Sequence, residues 1–172
     1  FVGSRSGYKN FESACRAFEH LGSDLNDTKL VVAGSPPSDS DPTETMFRDK
    51  VEWVANPTDE DLQLLFAESI GLLYVSRYEG FGMPLVEAMG QACVPIAGNH
   101  SSITEVVGDA GILVEEVSDP DLITHSMEML LTDETFRNDR VAAGIKRSRD
   151  FCWKRSARQT LSLYEQTIHY KK

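Results

Sequence analysis

Short apolar runs alternate with helix-like stretches along most of the chain, and this alternation limits the possible folds more than any other feature. The runs have the length of strands, and several of the stretches between them carry apolar residues at helical spacing. Such alternation predicts βαβ units and hence a parallel sheet with helices on both faces. The sequence predicts an α/β fold, a doubly wound parallel sheet of about six strands at residues 1–4, 29–33, 51–54, 71–75, 93–97 and 112–114.

Several helix boundaries carry capping signals. Ser102 and Glu105 have the spacing of a capping box, and an aspartate followed by Pro120 places a cap and a proline in their preferred positions. The polar, acidic, proline-containing segment at residues 35–44 predicts a loop. Caps are therefore predicted at Asn10, Thr58, Ser101 or Ser102, and Asp119. The last two helices are predicted at about residues 133–149 and 155–170.

Composition excludes several classes of function. The net charge of −10 over 172 residues argues against a nucleic-acid-binding protein, and no apolar run reaches the length of a membrane span. The three scattered cysteines show no metal-binding spacing, so we expect no metal site and a reducing, cytoplasmic setting. The chain opens on a strand-like Phe1 without an initiator methionine, and we expect a piece of a longer protein whose missing part is N-terminal.

The segment at residues 76–87, SRYEGFGMPLVE, follows a predicted strand and combines a glycine turn with a helix start. Gly82 permits a positive φ and a close approach of a ligand, and Pro84 suits the first turn of a helix. A helix N-terminus presents free N–H groups and positive potential to an anion. We therefore predict a phosphate site here, with the amides of Leu85 and Val86 as donors.

Four charged side chains lie on or near the predicted binding edge, where parallel strands end. Glu87, in the first turn of the helix, can accept hydrogen bonds from a ribose diol. Glu79 can accept from sugar hydroxyls or stabilise positive charge at an anomeric carbon. Lys9, with Arg5 four residues earlier, can neutralise a leaving diphosphate. The residues alone leave open that each of these groups is a solvated surface charge.

Residues 79–89, EGFGMPLVEAM, resemble the E-x7-E signature of the retaining, nucleotide-sugar-dependent glycosyltransferases of GT-B fold, known as glycosyl transferases group 1. The opening residues 1–10 are similar to the family's first donor-domain strand and loop. The resemblance implies that residues 1–172 form a Rossmann-like donor-binding domain, half of a GT-B fold, and that the acceptor domain is absent. It also implies transfer without an obligatory metal or other cofactor.

The resemblance assigns roles to individual residues. Lys9 matches the phosphate-binding lysine, while Arg5 is displaced by one position from the family's arginine. Glu79 matches the glutamate that contacts the donor sugar, and Glu87 the one that binds the ribose. The segment that passes under the sugar and diphosphate is matched by Phe81, Gly82 and Met83. Glu79 and Lys9 are thus the expected catalytic groups.

The expected substrates are a GDP- or UDP-linked sugar and a glycan or lipid-linked acceptor, the latter held by the missing domain. The base, the sugar, the acceptor and any membrane association stay open. Two alternatives remain: another GT-B-like enzyme, such as a nucleotide-sugar epimerase or a phosphorylase, and a non-catalytic nucleotide-binding module.

Overall fold

The structure is a computed structural model and describes residues 1–5, 7–22, 25 and 27–170. Ser6, within the predicted loop at residues 4–9, lies outside the described residues. The described part contains five named strands, all paired in parallel: β1 Val31–Gly34, β2 Glu52–Ala55, β3 Gly71–Tyr74, β4 Val94–Gly98 and β5 Ile112–Val114. β1 pairs with β2, and a second set has the order β3-β4-β5.

The first predicted strand, at residues 1–4, is reduced to a single parallel bridge between Val2 and Ala33. Two hydrogen bonds of 2.9 Å, from Ala33 N to Phe1 O and from Gly3 N to Ala33 O, hold this segment beside β1. At Gly3 the backbone turns to a φ of 106°, which lies outside the extended region and ends the pairing. The α/β fold with parallel strands is confirmed, with five named strands where about six were predicted.

One 3₁₀ turn and eight α-helices connect and cover the strands within the described residues. The turn spans Gly7–Lys9. The helices are α1 Phe11–Glu19, α2 Pro42–Phe47, α3 Asp59–Glu68, α4 Met83–Gly90, α5 Ser101–Val107, α6 Pro120–Thr132, α7 Glu134–Ser148 and α8 Trp153–Tyr170. None of these helices is long and apolar enough to cross a membrane.

Two apolar clusters lie on opposite faces of the strands. Successive side chains of a strand point to opposite faces, so Leu73 and Val75 join one cluster while Leu72 and Tyr74 join the other. The first cluster is covered by α1 and α6, and the second by α3, α4 and α5. This two-sided burial explains why β3 and β4 are apolar at almost every position.

Two of the predicted caps are confirmed. Thr58 and Asp61 form a reciprocal capping box at the start of α3, and Asp119 accepts a hydrogen bond from Asp121 N at 2.9 Å. Asn10 occupies the predicted position before α1, but its side chain does not cap the helix. Its amide instead donates to Val117 O at 2.5 Å, so the residue ties the start of α1 to the loop before α6.

Two predictions are wrong. Residues 35–44 are not all loop, because α2 begins at Pro42 and the carboxylate of Asp41 caps it by accepting from Thr43 N and Glu44 N. An aspartate before a proline favours a helix start, and that signal outweighs the polar composition. Neither Ser101 nor Ser102 caps α5, because the helix begins at Ser101 and His100 occupies the cap position; the hydroxyl of Ser102 contacts another loop instead.

Replacing Asp41 with alanine tests the cap of α2. The variant Asp41→Ala leaves two amides of the first turn without their acceptor and is expected to lower the free energy of unfolding by about 1 kcal/mol. Urea denaturation of the parent and the variant measures the loss. Asp49→Ala, a change at an exposed aspartate just beyond the same helix, is the matched control and should change stability much less. Equal effects of the two changes would contradict the capping role.

Candidate functional site

Three loops at the carboxyl ends of the strands meet at one place. The amide of Arg77, just after β3, donates to Tyr8 O at 2.7 Å, which joins the loop after β3 to the 3₁₀ turn. The hydroxyl of Ser102, at the start of α5, donates to Glu79 O at 2.9 Å. The candidate site is therefore built from segments that are far apart in sequence, at the edge where ligands bind in open parallel sheets.

Lys9 and Glu79 form an ion pair at the centre of this site. Lys9 Nζ lies 2.6 Å from Glu79 Oε1, and the two side chains are 14% and 12% exposed. The ammonium group also lies 5.3 Å from the ring centroid of Tyr8 and 5.2 Å from that of Tyr74. The two expected catalytic groups, 70 residues apart in the chain, are thus in direct contact.

The surroundings of Glu79 keep it ionised. Burial acts to raise the pKa of this carboxyl, but hydrogen bonds from Lys9 and Ser76, the charge of Lys9 and a hydrogen bond from Tyr74 outweigh it and lower the pKa below its ordinary value of 4.5. Burial, with the charge of Glu79 and the hydrogen bond to it, raises the pKa of the Tyr74 phenol. Tyr74 therefore stays a donor and Glu79 an acceptor.

The backbone of Glu79 is held by two serines of α5. Ser101 Oγ accepts from Glu79 N at 3.4 Å, and Ser102 Oγ donates to Glu79 O. Sequence reasoning missed these serines, together with Ser76 and Tyr74. The only available signal was their position at strand ends, which indicates the correct edge of the sheet but does not indicate which side chains turn toward Glu79.

The glycine turn leads directly into α4. Gly82 has a φ of 94°, and a Cβ built on it would lie 2.7 Å from Leu85 Cδ1, so the turn requires glycine. The amide of Leu85 donates to Gly82 O at 3.0 Å. It is therefore not the free phosphate donor that the sequence predicted, because it closes the first turn of the helix. A phosphate contact from the Val86 amide stays a prediction.

Three further predicted residues lie on the exposed surface at the start of α4. The side chains of Phe81 and Met83 are about 40% exposed, and Phe81 packs edge-to-face against Phe151 with ring centroids 5.6 Å apart. Glu87 is exposed, and its negative charge contributes to raising the pKa of Tyr74. All three side chains are therefore accessible to a ligand at the start of α4.

Arg5 does not join Lys9. Its Nε lies 2.5 Å from Glu44 Oε1, and one terminal nitrogen donates to Ser35 Oγ and Pro36 O at 3.1 Å. Its guanidinium carbon lies 5.3 Å from the ring centroid of Trp53, and its side chain is 4% exposed. Of the three guanidinium nitrogens of Arg5, Nη1 is the one that is buried without a hydrogen-bond partner among the described residues. The phosphate contact of Arg5 therefore stays a prediction, and Nη1 is the nitrogen that could donate to the phosphate.

Within the described ranges, no group of three or more histidine, cysteine, aspartate and glutamate side chains could hold a metal ion. The groups that the site offers are a lysine, hydroxyls and the start of a helix as donors, and two carboxylates as acceptors. Such a set suits a ligand with a diphosphate and several hydroxyls.

Residues 1–147 match the family described as glycosyl transferases group 1. The chain belongs to this family. O-antigen chain mannosyltransferase B from Escherichia coli is 36% identical over 115 residues, which are 67% of this chain and 30% of that protein. The MMP alpha-(1->4)-mannosyltransferase from Mycolicibacterium hassiacum is 31% identical over 144 residues, which are 82% of this chain and 34% of that protein. The chain thus spans about a third of the length of these relatives.

Solved structures with low sequence identity share the fold. A sucrose-phosphate synthase from Thermosynechococcus elongatus aligns with a TM-score of 0.83 at 20% identity, over 98% of this chain and 45% of that one. The C-terminal domain of a glycosyl transferase group 1 protein, LpcC, from Francisella tularensis aligns with a TM-score of 0.73 at 23% identity, over 87% of this chain and 82% of that domain. The predicted GT-B glycosyltransferase fold is confirmed.

The low pKa of Glu79 makes stability depend on pH. A carboxyl whose pKa is lowered by folding stabilises the protein above its unfolded-state pKa, and this contribution is lost as the pH falls through the folded-state value. We expect the free energy of unfolding to fall more steeply below pH 4.5 in the parent than in Glu79→Gln, as measured by urea denaturation across the acid range. When both proteins also carry Lys9→Met, the difference between their pH dependences should be smaller. Parallel stability curves for the parent and Glu79→Gln would contradict a lowered pKa of Glu79.

Proposed function

We propose that this chain is the donor-binding domain of a retaining mannosyltransferase that uses GDP-mannose. The observation that carries the proposal is the partly buried Lys9–Glu79 pair, whose carboxylate lies in the loop that leads into the N-terminus of α4. The names of several relatives support the sugar and the base. Besides the two mannosyltransferases above, they include a GDP-mannose:cellobiosyl-diphosphopolyprenol alpha-mannosyltransferase from Xanthomonas oryzae, 31% identical over 88 residues.

In this proposal each group of the site binds one part of the donor. Lys9 and the N-terminus of α4, with the Val86 amide, bind the diphosphate, because both supply positive potential. Glu87 accepts hydrogen bonds from the two ribose hydroxyls. Glu79 contacts the mannose, and Phe81 and Met83 lie beneath the sugar and diphosphate. Arg5 adds a further cation through its free Nη1.

The reaction follows from these charges. The bond between the anomeric carbon and the diphosphate oxygen breaks, and a bond from that carbon to the acceptor oxygen forms on the same face of the sugar. The acceptor proton passes to the leaving phosphate. Lys9 stabilises the negative charge that develops on the diphosphate, and the ionised Glu79 stabilises the positive charge that develops at the anomeric carbon. The acceptor is a glycan or a lipid-linked saccharide, which the rest of the protein helps to hold.

Nucleotide binding tests the site assignment. We expect calorimetric titration of this chain with GDP, UDP and ADP to show preference for GDP, and Lys9→Ala and Glu87→Ala each to weaken GDP binding about tenfold, because each removes a charged partner of the ligand. Arg5→Ala should have a smaller effect, since two of its nitrogens already bind protein groups. Lys29→Ala, which changes an exposed lysine paired with Glu52, is the matched control. Affinities of Lys9→Ala and Glu87→Ala equal to that of the parent would refute the assignment.

Steady-state kinetics of the full-length enzyme distinguish the proposed catalytic role of Glu79 from the proposed binding role of Glu87. Glu79→Gln keeps the shape of the side chain but removes its charge, and we expect kcat to fall about a hundredfold while GDP affinity does not fall, because the neutral amide competes less with GDP for Lys9. Glu87→Gln should instead raise the KM for GDP-mannose, because it acts on the ribose. Steady-state kinetics with an acceptor measures both. A Glu79→Gln enzyme with undiminished kcat would exclude the proposed electrostatic role.

A further inference from the structure

We propose that a neutral α-linked mannose oligosaccharide, the growing acceptor, binds in a cleft of this chain between the start of α4 and the start of α8. We call it the aromatic cleft; it is lined in part by Phe81, Met83, Phe151 and Trp153. Its volume of about 710 Å³ lies within the range of small-molecule sites. The sugar class rests on the proposed mannosyltransferase function, whereas the cleft itself does not.

Aromatic and thioether groups give the cleft its apolar surface. Trp153 is 77% exposed, and Phe81 and Met83 also present a large part of their surface to solvent. Phe151 packs edge-to-face with Phe81 and has the guanidinium carbon of Arg147 5.0 Å from its ring centroid, so the indole of Trp153 is the most accessible aromatic face of the cleft. Flat aromatic faces of this kind pack against the C–H face of a pyranose ring and bury apolar area on both partners.

The charges around the cleft favour a neutral ligand. The cleft is lined by two acidic residues, Glu105 and Asp150, and by two arginines, Arg147 and Arg155. Arg147 is already bound to Asp150 at 3.2 Å and to backbone carbonyls of α5. A phosphate or an anionic lipid surface would meet both signs of charge, whereas sugar hydroxyls can donate to the carboxylates and accept from the guanidinium groups.

The position of the cleft connects it to the proposed reaction. Phe81, Met83 and Val86 line it and also belong to the segment that is proposed to contact the donor. An oligosaccharide stacked on Trp153 would therefore extend along the surface of this chain toward the donor mannose. The cleft is then an acceptor subsite on the donor domain, which would align the end of the glycan with the reacting sugar.

Cys152 provides a direct probe of occupancy. Its thiol is exposed and lines the cleft, and hydrogen bonds from the backbone amides of Arg155 and Lys154 lower its pKa. Cys15 and Cys93 are buried, and burial raises the pKa of each thiol to about 12. Iodoacetamide near neutral pH should therefore modify Cys152 selectively, and mass spectrometry of the intact chain follows the rate.

We expect millimolar α-linked mannotriose to slow this modification about threefold or more, while cellotriose, a β-linked trisaccharide of the same size, has less effect. Trp153→Ala should weaken the protection about tenfold in apparent affinity, because it removes the largest stacking face. Tyr164→Ala is the matched control, since it removes an aromatic side chain of similar exposure from the same helix, away from the cleft. Each variant is compared with itself with and without sugar.

The outcomes separate this inference from the proposed function. GDP binding by the chain without protection of Cys152 by mannotriose would overturn the cleft and leave the donor site intact. Protection that survives Trp153→Ala would also overturn it. Absence of GDP binding together with protection would refute the donor site alone. In the full-length protein Cys152 should remain reactive until mannotriose is added; a Cys152 that is shielded in the absence of sugar would show that a protein segment fills the cleft and would overturn the proposal.

Discussion

The contact between Lys9 and Glu79 connects the architecture to the chemistry. A largely buried ion pair loses hydration energy and is stable only where further hydrogen bonds compensate for that loss. Here Ser76 and Tyr74 bond to the carboxylate, while the ammonium lies near the rings of Tyr8 and Tyr74. Each of these partners must be placed precisely. The loops after the strands must therefore keep one conformation, although they are exposed.

The parallel sheet makes this placement possible. Its strands end at a common edge, and the hydrogen bonds from Arg77 N to Tyr8 O and from Ser102 to Glu79 O fasten three loops together there. Below the edge, apolar side chains on both faces fix the strands that carry these loops. The packing of Leu72 and Leu73 on opposite sides of β3 thus helps to fix the strand from which the loop of Glu79 starts. The packing of the core therefore also affects the geometry of the candidate site.

The sequence predicted most of the strands, and the edge at which Lys9 and Glu79 meet, because these signals are local and periodic. Apolar runs, glycine turns and capping residues act over a few positions, and the parallel sheet then brings Lys9 and Glu79 to one edge. The partners of these groups were not predictable in this way. Tyr74 looked like an ordinary core residue of an apolar run, and only its position in three dimensions shows that its hydroxyl meets Glu79. Arg5 was predicted to face the diphosphate, but its partner Glu44 lies on α2, in the segment that was wrongly predicted to be a loop.

The pairing of Lys9 with Glu79 has a consequence for how a donor would bind. In the proposed complex the diphosphate takes over the ammonium of Lys9, so part of the binding energy is spent on separating the ion pair. Glu79 would then retain the hydrogen bonds from Ser76 and Tyr74, which keep its carboxylate oriented although its charge is less neutralised. A carboxylate in that state attracts positive charge at the anomeric carbon more strongly than one that is fully paired. Donor binding would therefore strengthen the attraction between the Glu79 carboxylate and the positive charge at the anomeric carbon. In the absence of donor, the same carboxylate is paired with Lys9.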